Sequence, residues 1–328
     1  MTTSHSVDFA PSVYEHCARL IGRTPWAVSR DSTLLLEGQS AAYELYRHRP
    51  VVVGVDIYNL EAEAYGAVVE EPEGNGIPAI KRPVCPSLDA VRALQSVDLS
   101  GRGRIPMVID VGRRLKVRWP DADVRIPVSG PFSIAANVMG FEELLCAALI
   151  DPEETGETLL ALGRGQERFC RAVLQAGLDI AFFESAAAPP LLSPGMFRQI
   201  EFPALQATLQ AAAAVAGHPV PCVIGGDTTP ILPEILATGT RYVICPAETN
   251  QRAFLAALAS HPEVMARVNM SPAITAGGTW DEIRAEVDRI LALIGTRKAA
   301  CLGTGALPYE TPPENVLKIK EYVNKLGV

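Results

Sequence analysis

The stretch Cys222-Val223-Ile224-Gly225-Gly226-Asp227-Thr228-Thr229-Pro230 concentrates side chains suited to chemistry. An apolar run passes through two glycines to an acid, two hydroxyls and a proline, which reads as a buried strand turning into a helix. In an α/β protein, groups at the carboxyl end of a parallel strand face the substrate. The same reasoning collects Asp56, Asn59 and Glu61, then Ser129 and Ser133, Glu184, Asp227 with Thr228, Cys245 with Glu248, Asn269, and Thr304 at the ends of other apolar runs. Carboxyls crowded into one mouth raise one another's pKa, which suits them to acid–base work or to holding a cation. Asp56, Glu184 and Asp227 are the catalytic candidates. Asn59, Ser133, Thr228, Asn269 and Thr304 are candidates for holding substrate. Each also has a structural reading; Asp227, just ahead of Thr228-Thr229-Pro230, has the form of a helix N-cap.

Other machineries are missing from the pattern. No Gly-x-Gly-x-x-Gly opens a helix after a strand, and no serine sits in a Gly-x-Ser-x-Gly elbow. Gly303-Thr304-Gly305 lacks the lysine of a phosphate loop. Cys222, Cys245 and Cys301 lie on three predicted strands and would form a zinc set only if they shared a face, so burial as small hydrophobes is the default. The five histidines show no metal-like pairing.

These groups need a scaffold that aims them together. Predicted strands are Val51–Ile57, Val124–Ser129, Asp179–Glu184, Pro219–Ile224, Tyr242–Cys245, Arg267–Met270 and Ala300–Leu302, with an eighth hidden in the N-terminal half. Predicted helices alternate with them, among them Pro152–Ala176, Pro194–Ala216, Trp280–Ile294 and Pro313–Leu326. Strand–helix alternation with short connections implies parallel strands, and eight of them a closed α/β barrel, (β/α)8, of the TIM type. The reading is one domain over residues 1–328: a cap to about residue 50, then the barrel, with a Gly-, Pro- and Glu-rich hairpin or lid inserted near residues 66–85.

Composition narrows the partners. The chain has 328 residues, 48% hydrophobic, with a net charge of −8. An acidic chain without a Lys/Arg run points away from nucleic acid and membrane surfaces. The cluster Arg113–Arg118 reads as a solvated helix face. Seven scattered cysteines and an N-terminus without a signal-peptide pattern lead to the expectation of a cytoplasmic protein.

Several segments in order resemble one family, the uroporphyrinogen decarboxylase superfamily. They are Gly54-Val55-Asp56 with Leu60–Gly66, Gly130-Pro131-Phe132-Ser133-Ile134-Ala135, Asp151-Pro152-Glu153, Gly177-Leu178-Asp179, Leu192-Ser193-Pro194, Gly226–Pro230 and Thr311–Asn315. The resemblance runs from about Arg23 onward and is greatest to the corrinoid-dependent methyltransferases. It implies a (β/α)8 barrel with a funnel at the strand ends. Haem-pathway members carry an Arg-Gln-Ala-Gly-Arg segment that clamps substrate carboxylates; the region Trp26–Arg30 here offers one arginine. Thiol-methylating relatives hold zinc at positions matching Val223, Gly225 and Ala306, all without ligand atoms, so zinc is doubtful.

The resemblance thus implies a methyltransferase or demethylase component acting on a small methylated compound or a methyl acceptor. Its corrinoid (cobalamin) would be carried by a separate corrinoid-binding protein. Tyr58, Phe182 or Phe183 would suit a quaternary ammonium. The alternatives are a decarboxylase or lyase of the same superfamily acting on a small acid, and a non-catalytic binding protein. Oligomeric state is open, with a homodimer as one option.

Overall fold

The computed structural model describes residues 7–326. Eight parallel strands form two four-stranded sheets that curl around a common interior. One sheet has β1 (Asp8–Ser12), β10 (Ala300–Ala306), β9 (Met265–Met270) and β8 (Tyr242–Cys245), in that spatial order. The other has β2 (Val51–Val52), β5 (Val124–Ser129), β6 (Asp179–Phe183) and β7 (Cys222–Val223). The remaining pair, β3 (Val68–Glu70) and β4 (Ala79–Arg82), is an antiparallel hairpin within the expected insertion.

The missing eighth strand is β1, which pairs in parallel with β10. The boundary expected near residue 50 is therefore corrected: the segment assigned to a cap supplies a barrel strand before its helices (16–20, 25–30 and 32–46) begin. Pro11 has no amide to donate, and the register slips between Ala10 and Ser12. Two predicted strands are shorter than expected. Pro219 and Pro221 leave only Cys222–Val223 to pair, and Gly54, at φ +143°, ends β2 early. Where β7 and β8 do not pair, the Thr240 hydroxyl donates to the Val220 carbonyl across the seam at 2.8 Å.

Helices pack outside the sheets on a continuous apolar core that includes Val51, Ile126, Val128, Ile180, Phe182, Cys222, Cys245, Val268 and Leu302. A second, smaller cluster fills the barrel interior: Tyr14, Val52, Ile57, Ala181, Phe183, Val223 and Ile244. Because strand side chains alternate faces, neighbouring residues divide between these two cores. The long helix Pro152–Gln175 starts with Asp151 accepting from the Glu154 amide, with proline in its first turn. Within Arg113–Arg118, Arg113, Arg114 and Arg118 are exposed around buried Leu115, the solvated face expected. Among the described residues, no single helix is long and apolar enough to cross a membrane.

Candidate functional site

A cavity of about 500 Å³ opens at the carboxyl ends of the strands. Its wall takes Ser12 at the end of β1 with Tyr14 and Glu15 after it, Asp56 to Asn59 after β2, Phe183 of β6 with Ser185 beyond it, and Val223 of β7 with Gly225 and Gly226 beyond it. The far wall adds Ile244, Pro246 and Glu248, then Arg267 and Asn269 of β9, and Gly305 with Ala306 of β10. Ile77 to Ile80, from the β3–β4 hairpin, roof it over. The Phe183 ring meets Tyr14 and Tyr58 edge-on at 6.2 and 6.0 Å, forming an aromatic side. The Tyr58 hydroxyl and Ser185 Oγ are 2.8 Å apart, and Ser185 Oγ also accepts from the Gly225 amide.

One acid and one base of this wall were not singled out as site candidates from the sequence. Glu15 is buried, which pushes its carboxyl up to about 7, with the Glu310 charge adding to the rise. Arg267 is only 5% exposed, and no carboxylate forms an ion pair with it among the described residues. Its Nε has no hydrogen-bond acceptor. Tyr14, Tyr242 and Cys301 surround it, and burial pushes all three up, so each stays protonated and neutral near pH 7. Gly303 makes the room: a Cβ there would lie 2.5 Å from both Arg267 Cγ and Asn269 Oδ1.

Of the sequence candidates, Asp56, Tyr58, Asn59, Phe183, Glu248 and Asn269 line the cavity. Asp56 is not a free acid, however. Both its oxygens accept from Arg104 at 2.7 Å, and Arg104 Nε donates to Glu63 at 2.5 Å. Arg30 completes this group by pairing with Glu63. The Asn59 amide spans Asp56 and the Pro78 carbonyl.

The expected meeting of Asp56, Glu184 and Asp227 is corrected, since the other two lie outside the cavity lining. Asp227 accepts from the Thr249 hydroxyl at 2.7 Å. Glu184 follows inward Phe183 and so turns outward, where Ser133 donates both its amide and its hydroxyl to it. Gly130 is required beside it, because a Cβ would overlap the carboxylate. Glu201, the last residue of a π-helical turn (Phe197–Glu201), lies against Glu184. Neither Glu201 oxygen has a partner unless the two carboxyls hold a proton between them. Burial pushes Glu184 up to about 7, and burial plus the Glu184 charge pushes Glu201 well above the usual range.

Four further candidates are corrected, the two on strands by alternation. Phe182 packs in the outer core, and Phe183 takes the inward place. Thr304 faces away from the cavity, and its hydroxyl accepts from the Ser12 amide at 3.0 Å. Ser133 serves Glu184, and Thr228 is buried outside the cavity lining with its hydroxyl unpartnered. The cysteines do not share a face. Cys222 and Cys245 lie in the outer core, and Cys301 lines a different hollow with Asp8 and Tyr46.

Val223, Gly225 and Ala306 converge on the cavity, and none carries a side-chain nitrogen, oxygen or sulfur. Among the described residues no group of three or more His, Cys, Asp or Glu could hold a metal ion. The residues at this position do not fit zinc.

Comparison with known proteins agrees with this geometry. No curated protein matches by sequence. A methyltransferase from Methanosarcina mazei superposes with a TM-score of 0.82 at 21% identity, over 98% of this chain and 95% of that one. A B12-independent methionine synthase from Shewanella sp. W3-18-1 is more distant, with a TM-score of 0.54 at 9% identity over 90% of this chain and 87% of that one. At such identities the likeness concerns the barrel and its arrangement. The uroporphyrinogen decarboxylase (URO-D) family model matches residues 8–326. With nearly every described residue inside that match, the chain belongs to the uroporphyrinogen decarboxylase family.

Proposed function

We propose that this protein is a methyltransferase of the family, taking a methyl group from oxygen in a small donor held in the cavity. The acceptor is a corrinoid carried on a separate protein that docks over the mouth and supplies the nucleophilic cobalt. The observation that carries this reading is Glu15: a buried carboxyl, pushed up to about 7, facing an apolar cavity. As the methyl–oxygen bond breaks, the methyl passes to the acceptor and the leaving oxygen takes the Glu15 proton. A group titrating near 7 is matched to that task. Tyr58 and Ser185, already hydrogen-bonded to each other, would orient the donor oxygen. Thiol activation by zinc has no support at Val223, Gly225 and Ala306. The family's tetrapyrrole decarboxylation is also disfavoured, because among the described residues Arg267 is the single basic one lining the cavity and cannot balance many carboxylates.

The test is to mix the protein with cob(I)alamin and methoxylated donors and follow the cobalt(I) absorbance. Donor-dependent loss is expected, with Glu15→Gln slower by about 10²-fold or more. Absence of transfer with both free and protein-bound corrinoid would sink the reading.

A further inference from the structure

We infer that Arg267 is a carboxylate anchor at the floor of the cavity, and that the ligand is a monocarboxylate with an apolar, ring-sized body. The inference rests on the cavity being the substrate pocket, but it requires no particular reaction. Arg267 lies on β9 with its Cα level with Cys301 of β10, two residues deeper than Asn269, so it sits below the rim. A buried guanidinium normally has carboxylate company. Here the neighbours are two phenols and a thiol, Nε lacks an acceptor, and the Asn269 amide oxygen just above also lacks a partner. Gly303 opens space for the arginine stem, so the cation is accommodated by the architecture while its counter-charge is missing.

The other acids of the cavity do not supply that charge. Asp56 is taken up by Arg104, Glu15 carries no ion pair to Arg267, and Glu248 is an exposed rim residue. One cation matches one negative charge, which favours a carboxylate over a phosphate dianion. Ile244, Val223, Tyr14, Tyr58 and Phe183 provide the apolar and aromatic surface for the body. With the cation deep and the carboxyls higher up, the ligand enters with its carboxylate leading and leaves its other end beside Glu15.

Calorimetric titration and thermal unfolding with butyrate, phenylacetate, benzoate and 4-methoxybenzoate, each against its primary amide, test this without any turnover. At least one carboxylate is expected to bind the wild-type protein about tenfold or more tighter than its amide and to raise its melting temperature, while the amide does not. Arg267→Met should erase that preference and leave the free protein as stable as before or more so. Arg267→Lys should retain part of it. Absence of binding by all four acids, equal binding of acid and amide, or collapse of the fold in Arg267→Met would overturn the inference. Failure of methyl transfer would leave these results standing, and so would separate the two readings.

Discussion

Two arginines of nearly equal burial lead opposite lives in this molecule. Arg104, 8% exposed, is gripped by Asp56 and Glu63 and also donates to the Ser29 carbonyl. Arg267, 5% exposed, meets only neutral groups. The first closes its electrostatics within the chain and ties the 25–30 helix to the loop after β2. The second leaves them open toward a cavity. Burial alone therefore does not distinguish a structural charge from a binding charge; the completeness of the partner set does.

The contrast breaks if Arg104 proves dispensable. Arg104→Met strands the buried Asp56 carboxylate, while Glu63 keeps Arg30, and should cost about 3–5 kcal/mol in urea unfolding. A loss as small as that of a surface substitution would undo the distinction. Gly303→Ala probes the other arginine. The new Cβ would overlap the Arg267 stem and should cost about 1–3 kcal/mol. That cost should shrink in an Arg267→Ala background, a coupling read from a double-mutant cycle.

A smaller effect comes from acids whose folded pKa is raised. Glu15, Glu61 and Glu184 are all pushed up to about 7 by burial. From about pH 4.5 upward the unfolded chain releases protons that the folded chain retains. Stability is thus full below that pH, declines towards pH 7 and levels off above it. Glu15→Gln should flatten part of the decline in melting temperature across this window, whereas an unchanged slope would mean that Glu15 ionises normally. The smallest effect is expected from Asp227→Asn, which keeps an acceptor for Thr249 and stands outside the cavity lining; stability should shift by about 1 kcal/mol or less.

The barrel was legible in the sequence because alternation of strand and helix survives in most of the chain. β1 escaped because Asp8-Phe9-Ala10-Pro11-Ser12 contains a proline and lacks an apolar run. Glu15, three residues past it, escaped with it. Phe182 and Phe183 stood as equal candidates for another reason. Both faces of a barrel strand are buried, so hydrophobicity cannot tell inward from outward. Arg267 shared its face with Asn269, which the sequence did single out. Counting two residues back from Asn269 would have found it, but a charge opening an apolar run looks like a border.

The entrance to the cavity is not an independent moving part. One amide, that of Asn59, reaches the Pro78 carbonyl in the hairpin roof at 2.6 Å and Asp56 below it at 3.2 Å. Through Asp56 the roof is fastened to Arg104, and through Arg104 to Glu63 and Arg30. Whatever loosens that chain of charges also loosens the door.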